Sequence, residues 1–170
     1  MAGDATMLPE TVRILPALPA DAEEILALQR LAYQAEAELY GDWSIPPLTQ
    51  TLEELRAEFA SLAILKAVEG RAPGGGNIVG SVRAGLDGGV CRVGRLMVLP
   101  ECQRRGVGAA LVAAIEACFP AARRFELFTG HRSAGNLRLY TRLGYRESRR
   151  HVVGPGLTLV YLDKPGPVAR

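Results

Sequence analysis

Apolar and polar positions change period several times along the chain, and each change marks an element. Thr11 to Leu15 alternates and predicts a first strand. Pro19-Ala20-Asp21 then opens a helix, with Asp21 as its cap and Glu24 reaching back. Ile25, Leu28, Ala32 and Leu39 keep helical spacing as far as Tyr40, and Gly41-Asp42 ends the run. Trp43 to Leu48 contains Pro46-Pro47 and reads as non-helical. Thr51 with Glu54 signals a second helix through Leu52, Leu55 and Phe59.

Strand patterns follow over Leu62 to Glu69, Asn77 to Leu86 and Val90 to Leu99. A flexible loop around Gly74-Gly75-Gly76 separates the first two, and the turn Asp87-Gly88-Gly89 separates the last two. Gly94 inside a strand suggests a bulge or a close backbone approach. Beyond Pro100, a helix carries the stripe Val107, Ala110, Leu111, Ala114, Ile115 and Cys118, and Pro120 ends it. Arg124 to Thr129 is a strand, and Ser133 to Leu143 a helix stopped by Gly144. Tyr145 to Val153 and Leu157 to Leu162 form a closing hairpin, and the tail Lys164 to Arg170 reads as loose.

The order is β-α-α-β-β-β-α-β-α-β-β. It gives an α+β fold with a mixed, mostly antiparallel central sheet flanked by helices. The strand–helix–strand unit after Val90 should be a right-handed parallel crossover. The 170 residues suit one domain, with an ordered core over about residues 11–163.

Composition narrows the choices. A net charge of +2 makes a poor electrostatic case for nucleic acid or a membrane surface. The cluster Arg146, Arg149 and Arg150 reads as a solvated strand face. Cys91, Cys102 and Cys118 lack metal-ligand spacing and read as free thiols, so no metal is expected. Cys102 precedes a glycine-rich loop but has no His partner nearby. The first ten residues lack the basic start and apolar run of a signal peptide, and no stretch is apolar enough to span a bilayer. A cytoplasmic protein, monomer or homodimer, is expected.

The chemistry concentrates in Leu96-Met97-Val98-Leu99-Pro100-Glu101-Cys102-Gln103-Arg104-Arg105-Gly106-Val107-Gly108-Ala109. A strand enters a helix through two glycines that remove Cβ atoms where a ligand would approach backbone. The helix start adds unpaired N–H groups and a positive dipole end, an anion site suited to a pyrophosphate. A P-loop would need Gly-Lys-Ser/Thr, and the dinucleotide fingerprint would need glycine at Leu111; neither is present.

This run resembles the Gln/Arg-x-x-Gly-x-Gly/Ala signature of the GCN5-related N-acetyltransferase (GNAT) superfamily, and the element order resembles that fold over nearly the whole chain. The resemblance implies acetyl-CoA as cosubstrate. Backbone groups of Leu96, Met97 and Val98 would bind its pantetheine arm. N–H groups from Arg104, Arg105, Gly106, Val107, Gly108 and Ala109 would hold its phosphates, with Gln103 also in the cofactor site. Ser133 to Tyr145 resembles the family's later helix, ending in Leu-Tyr-x-x-x-Gly-Phe/Tyr. There Tyr140 matches the tyrosine that protonates the departing thiolate. Family members often carry Asn where this chain has Ser133, with Asn136 one turn on; either could reach the cofactor.

The resemblance also implies a backbone N–H, that of Val98, for the oxyanion, with the cosubstrate between the third and fourth strands of the sheet. Neither usual general base is present: Phe128 holds one position, and Arg92, Gly94 and Arg95 occupy the other. Glu36, Glu38, Glu126, His131 or a water chain remain. Tyr33, Glu36, Tyr40, Trp43 and Ile45 would wall the acceptor site, and aromatic and acidic groups suit a cationic amine. The expected activity is direct acetyl transfer to a primary amine of a small molecule or protein. A non-catalytic acyl-CoA sensor or scaffold is the competing expectation, and a nucleic-acid module a weaker third.

Overall fold

The structure is a computed structural model that describes residues 8–70 and 75–168. Seven strands form one sheet in the order β1-β2-β3-β4-β5-β7-β6. They are β1 (Val12–Pro16), β2 (Ala63–Glu69), β3 (Asn77–Asp87), β4 (Val90–Val98), β5 (Arg124–Gly130), β6 (Arg146–Gly154) and β7 (Leu157–Pro165). All neighbours pair antiparallel except β4 and β5. Among the described residues the α-helices are α1 (Ala22–Ala32), α2 (Gln34–Tyr40), α3 (Pro46–Thr49), α4 (Leu52–Glu58), α5 (Val107–Ala117) and α6 (Ala134–Arg142).

The sheet separates two cores. On one face, Leu111, Val112 and Ile115 of α5 pack with Val79, Val82, Val93, Phe125 and Leu127. On the other, Ile25 and Leu28 of α1 and Leu55 of α4 cover Ile64, Ile78 and Met97. Each such side chain contributes about 1.5–3 kcal/mol when fully buried, so the helices are clamped to the sheet by their apolar stripes. α4 starts on the expected capping box: Glu54 N–H donates to Thr51 Oγ1 at 3.2 Å, and Thr51 N–H to Glu54 Oε2 at 2.8 Å.

Five expectations need correction. Pro46-Pro47 do not forbid a helix; they begin α3, where the first turn leaves N–H groups unpaired anyway. The first helix is not continuous to Tyr40. It breaks at Tyr33, which with φ −87°, ψ −2° sits at the bridge edge of the right-handed region and is both the C-cap of α1 and the N-cap of α2. Asp21 does not cap α1. Its carboxylate accepts from Leu18 N–H and from Lys66 Nζ, closing a 3-10 turn over Pro19–Asp21, while Glu24 accepts from Ile78 N–H. The last helix of the crossover does not start just past Pro100, where a 3-10 turn stands, but at Val107. The tail is held beyond Lys164: Gly166 N–H donates to Arg123 O at 2.7 Å and Val168 N–H to Ala122 O at 3.4 Å. Gly74 of the glycine loop lies outside the described residues.

Between β4 and β5 only three residue pairs match, Val90 with Arg124, Cys91 with Phe125 and Arg92 with Glu126. Beyond Arg92 the strands part. On the other side, β4 carries a bulge opposite β3: Ser81 pairs with Met97, but Arg83 pairs with Gly94, so Arg95 and Leu96 face Val82 alone. The bulge lies beside Gly94 rather than on it, and Arg95 takes the left-handed φ of +50°.

Candidate functional site

The parting of β4 and β5 opens a cleft in the middle of the sheet. Leu96, Met97 and Val98 line one wall, Phe128, Thr129 and Gly130 the other. Gln103, Arg104, Gly106, Gly108 and Ala109 close one end, and Tyr33, Glu36 and Tyr40 the other. The expected position between the third and fourth strands is therefore displaced by one: β3 and β4 stay paired through their bulge, and the gap lies between the fourth and fifth.

Leu99 N–H donates to Val79 O. Antiparallel alternation then turns the N–H and C=O of Val98 away from β3, toward the cleft. There Val98 O accepts from Gln103 Nε2 at 3.2 Å. At the loop, Arg104 (φ +61°) and Gly106 (φ +82°) both adopt the left-handed backbone, and Gly106 is the residue that enters α5. Arg105 points elsewhere, to Glu69 Oε1 at 3.2 Å, and the Val107 side chain is core; their backbone belongs to the loop.

Tyr140 lines the cleft and is buried. Burial, with Tyr33 and Glu36 nearby, pushes its phenol well above the ordinary value, so it stays protonated. Tyr33 is pushed up to about 12, by burial and then by Glu36. Burial also raises the Glu36 carboxyl, against a hydrogen bond from Ser133 and the charge of Arg95.

One relay connects α2 to the start of α6. Arg132 N–H donates to Tyr40 Oη at 3.0 Å, Tyr40 Oη lies 2.9 Å from Ser133 Oγ, and Ser133 Oγ donates to Glu36 Oε1 at 3.4 Å. Gly130 makes room for it, since a Cβ there would collide with Tyr40 Oη. Tyr40 is thus a strut, and Ser133 belongs to the Glu36 side. Asn136 Nδ2 instead donates to Thr129 Oγ1 at 3.2 Å, on the β5 wall.

Among the candidate bases, Glu36 alone reaches the cleft. Glu38 is exposed, and Glu126 lies between Arg92, Arg124 and Arg149 outside it. His131 Nδ1 accepts from Thr158 N–H at 3.0 Å. Trp43 is 56% exposed and does not line the cleft, contrary to its expected place in the acceptor wall. Its neighbour Ile45 does line it. Cys102 is buried, and burial and Glu69 raise its thiol, the opposite of activation.

A family profile described as "Acetyltransferase (GNAT) domain" matches residues 57–147, more than half of the chain. This chain belongs to the GNAT acetyltransferase family. Solved structures of the same fold include the N-acetyltransferase PaiA from Thermoplasma acidophilum in complex with coenzyme A. It is 14% identical with a TM-score of 0.71, over 88% of this chain and 97% of that one. Another is a GNAT phosphinothricin acetyltransferase (Pat) from Sinorhizobium meliloti in complex with AcCoA, 18% identical with a TM-score of 0.74, over 94% and 90%. A third is NAA60 of Arabidopsis thaliana in complex with a bisubstrate analogue, 18% identical with a TM-score of 0.70, over 91% and 98%. In sequence, the UPF0157 protein YqkA of Bacillus subtilis (strain 168) is 27% identical over 138 residues, 81% of this chain. The chain spans 38% of the length of that relative.

The GNAT cleft of this chain also holds residues that sequence reasoning missed. Arg83 on β3 is 2% exposed and bonded to Glu58, Gln50 and Gln29; Gln29 in turn donates to Pro47 O and Gln50 Oε1. Arg95 lines the cleft beside Tyr33 and Glu36. A charged residue inside an apolar strand pattern was the available signal: Arg83 interrupts Asn77 to Leu86, and Arg95 interrupts Val90 to Leu99. Among the described residues no cluster of His, Cys, Asp or Glu is placed to hold a metal ion, and no helix is long and apolar enough to cross a membrane.

Proposed function

We propose that this protein transfers an acetyl group directly from acetyl-CoA to a primary amine. The observation that carries this reading is the parted β4–β5 pair. It opens unpaired strand backbone, an anion-binding helix start, a buried phenol and a cleft carboxylate onto one space. Acetyl-CoA supplies the thioester. The loop from Gln103 to Ala109 and the α5 N-terminus hold its phosphates, and β4 backbone from Leu96 to Val98 aligns its arm as an added strand would lie.

Glu36 is the base. An alkyl ammonium is mostly protonated at neutral pH, and only the neutral amine attacks. A carboxylate raised by burial takes that proton more readily than an ordinary one. Val98 N–H faces the negative charge that develops on the carbonyl oxygen. Tyr140 gives its proton to the sulfur as the C–S bond breaks and the C–N bond forms. The ammonium loses two protons in all: one passes through Glu36 to solvent, and the second replaces the one delivered by Tyr140. Among the described residues no activated nucleophile lines the cleft, which favours direct transfer over a covalent acetyl-enzyme.

The test is release of free thiol from acetyl-CoA by purified protein with a panel of amines. Gly106→Glu should weaken acetyl-CoA binding at least about tenfold, or about 1.4 kcal/mol, by setting bulk and negative charge against the phosphates. A folded Gly106→Glu protein with unchanged affinity would place the cosubstrate elsewhere. Tight binding without thiol release from any amine would favour a sensor.

A further inference from the structure

Two guanidinium groups enter the acceptor end of the cleft, and they differ in state. Arg83 is paired. Its Nη1 is 2.8 Å from Glu58 Oε2 and 3.2 Å from Gln50 Oε1, and its Nη2 meets Gln29 Oε1. Its charge is matched by Glu58. Arg95 is not. Among the described residues no carboxylate lies within 4.0 Å of its guanidinium; it hydrogen-bonds the Tyr33 phenol, and its Nε, like that of Arg83, is buried without a partner. What separates Arg95 from Arg83 is the missing carboxylate, and a guanidinium lining a cleft without one is open to a carboxylate that binds.

The backbone of Arg95 is also specifically arranged. It occupies the β4 bulge with φ +50°, a left-handed conformation unfavourable for a residue with a Cβ. Bulges re-aim side chains next to sites. Here the bulge brings Arg95 to the same face as Tyr33 and Glu36, all three lining the cleft. Glu36 and Arg95 feel each other's charge, yet they do not close into an ion pair. The cleft therefore holds a carboxyl and a guanidinium that do not pair with each other: Glu36 accepts from Ser133, and Arg95 hydrogen-bonds Tyr33.

We propose that the acceptor is a small amino-acid-type zwitterion, with its ammonium at Glu36 and its carboxylate on the guanidinium of Arg95. The inference rests on the acetyltransferase reading above and names the substrate class of that site. Arginine's planar fork matches a carboxylate through two parallel hydrogen bonds, and a ligand carboxylate would give the orphan Nε its acceptor. Arg95 sets specificity and orientation; bond making stays with Glu36, Val98 and Tyr140. The products are an N-acetyl amino acid and free CoA. A protein lysine or an alkylamine without a carboxylate would leave Arg95 unmatched.

The experiment measures thiol release at saturating acetyl-CoA with the common L-amino acids, each beside its C-terminal carboxamide. At least one acid should exceed its carboxamide in kcat/KM by about 10–100-fold, the scale of a charged hydrogen bond. Arg95→Gln should raise the KM of that acid and bring the acid-to-amide ratio near one. Arg95→Lys should recover part of it. Acetyl-CoA affinity should stay within about threefold in both variants, which verifies folding. Equal use of acids and amides, or a ratio that survives Arg95→Gln, overturns the inference while leaving the acetyltransferase intact. If no acid is acetylated, calorimetry of the CoA-saturated protein with the same panel decides: no preference for an acid over its amide overturns it. Failure to bind acetyl-CoA would instead sink the underlying reading, and this inference with it.

Discussion

Glu36 carries a carboxylate on a partly buried helix face, where the fold favours its protonated form. The sign of its effect on stability follows. Between its unfolded pKa and its raised folded pKa, the folded state binds more protons than the unfolded one. Stability therefore falls as pH rises through that window. Glu36→Gln should accordingly raise the melting temperature relative to wild type at pH 8, and the gain should shrink as pH is lowered past the carboxyl's titration. The same substitution should lower turnover by about 10²-fold or more and remove the acid limb that Glu36 imposes on kcat/KM. A variant that loses stability at pH 8 and keeps its turnover would make Glu36 an ordinary structural acid. Tyr140 is the complementary case. Its phenol stays protonated over the working range, so Tyr140→Phe should cut kcat about 10²-fold and leave acetyl-CoA affinity within about threefold. Stopped-flow turnover beside calorimetry separates the two readouts; equal kcat from pH 6 to 9 would reduce Tyr140 to packing.

At the scale of elements, α4 is joined to the sheet by charge as well as by Leu55. Glu58 meets Arg83 at 2.8 Å, with side-chain exposures of 28% and 3%. Removing one partner of a buried pair leaves the other uncompensated, so Arg83→Met should cost about 3–5 kcal/mol in urea unfolding. Adding Glu58→Gln should return part of that loss, and purely additive costs would show that the two do not couple. This network explains what the sequence disclosed and what it did not. Strands, the Thr51–Glu54 capping box, the Asp87-Gly88-Gly89 turn and the Gly106 loop are written in local spacing, and they stand where that spacing puts them. The break at Tyr33 has no glycine or proline to announce it. Arg83, Gln29 and Gln50 come together from β3, α1 and the end of α3, and only tertiary packing unites them. The same holds for the acceptor wall. Trp43 looked apt by type and nearness in sequence, but the turn after Gly41 leaves it outside. Arg95 was read only as the absence of an acid, because a bulge that re-aims a side chain leaves little trace in residue pattern.

For the whole molecule, the glycine loop that enters α5 was legible and the parting of the sheet beside it was not. The parallel crossover β4–α5–β5 was expected, but its strands keep only three matched pairs. The seven strands therefore form two panels, β1 to β4 and β5-β7-β6, joined along a short seam and bridged by α5. The second panel ends in β6, whose residues Arg146 to Val153 are all exposed. Arg149 lies flat over Tyr161 at 3.6 Å and Arg150 pairs with Glu147, as a solvated basic face would.

That short seam has a consequence for cohesion. An internal strand normally shares the cooperativity of its whole sheet. Here the Val98 amide faces open space on one side, as an edge strand's would, so the two panels should loosen separately before the molecule unfolds as one. In hydrogen-exchange experiments on the free protein, amides of β5, β6 and β7 should exchange together at a lower opening free energy than those of β1 to β4. Acetyl-CoA lying along β4 would act as a missing rung. It should slow exchange at Val98 and draw the two groups toward a single value. It should also stabilise the fold by about 2.7 kcal/mol at a concentration of one hundred times Kd. Unchanged Val98 exchange at saturation would mean the seam stays open, and the arm runs elsewhere. If the rung forms, the supply of its own cosubstrate helps decide how firmly this protein holds together.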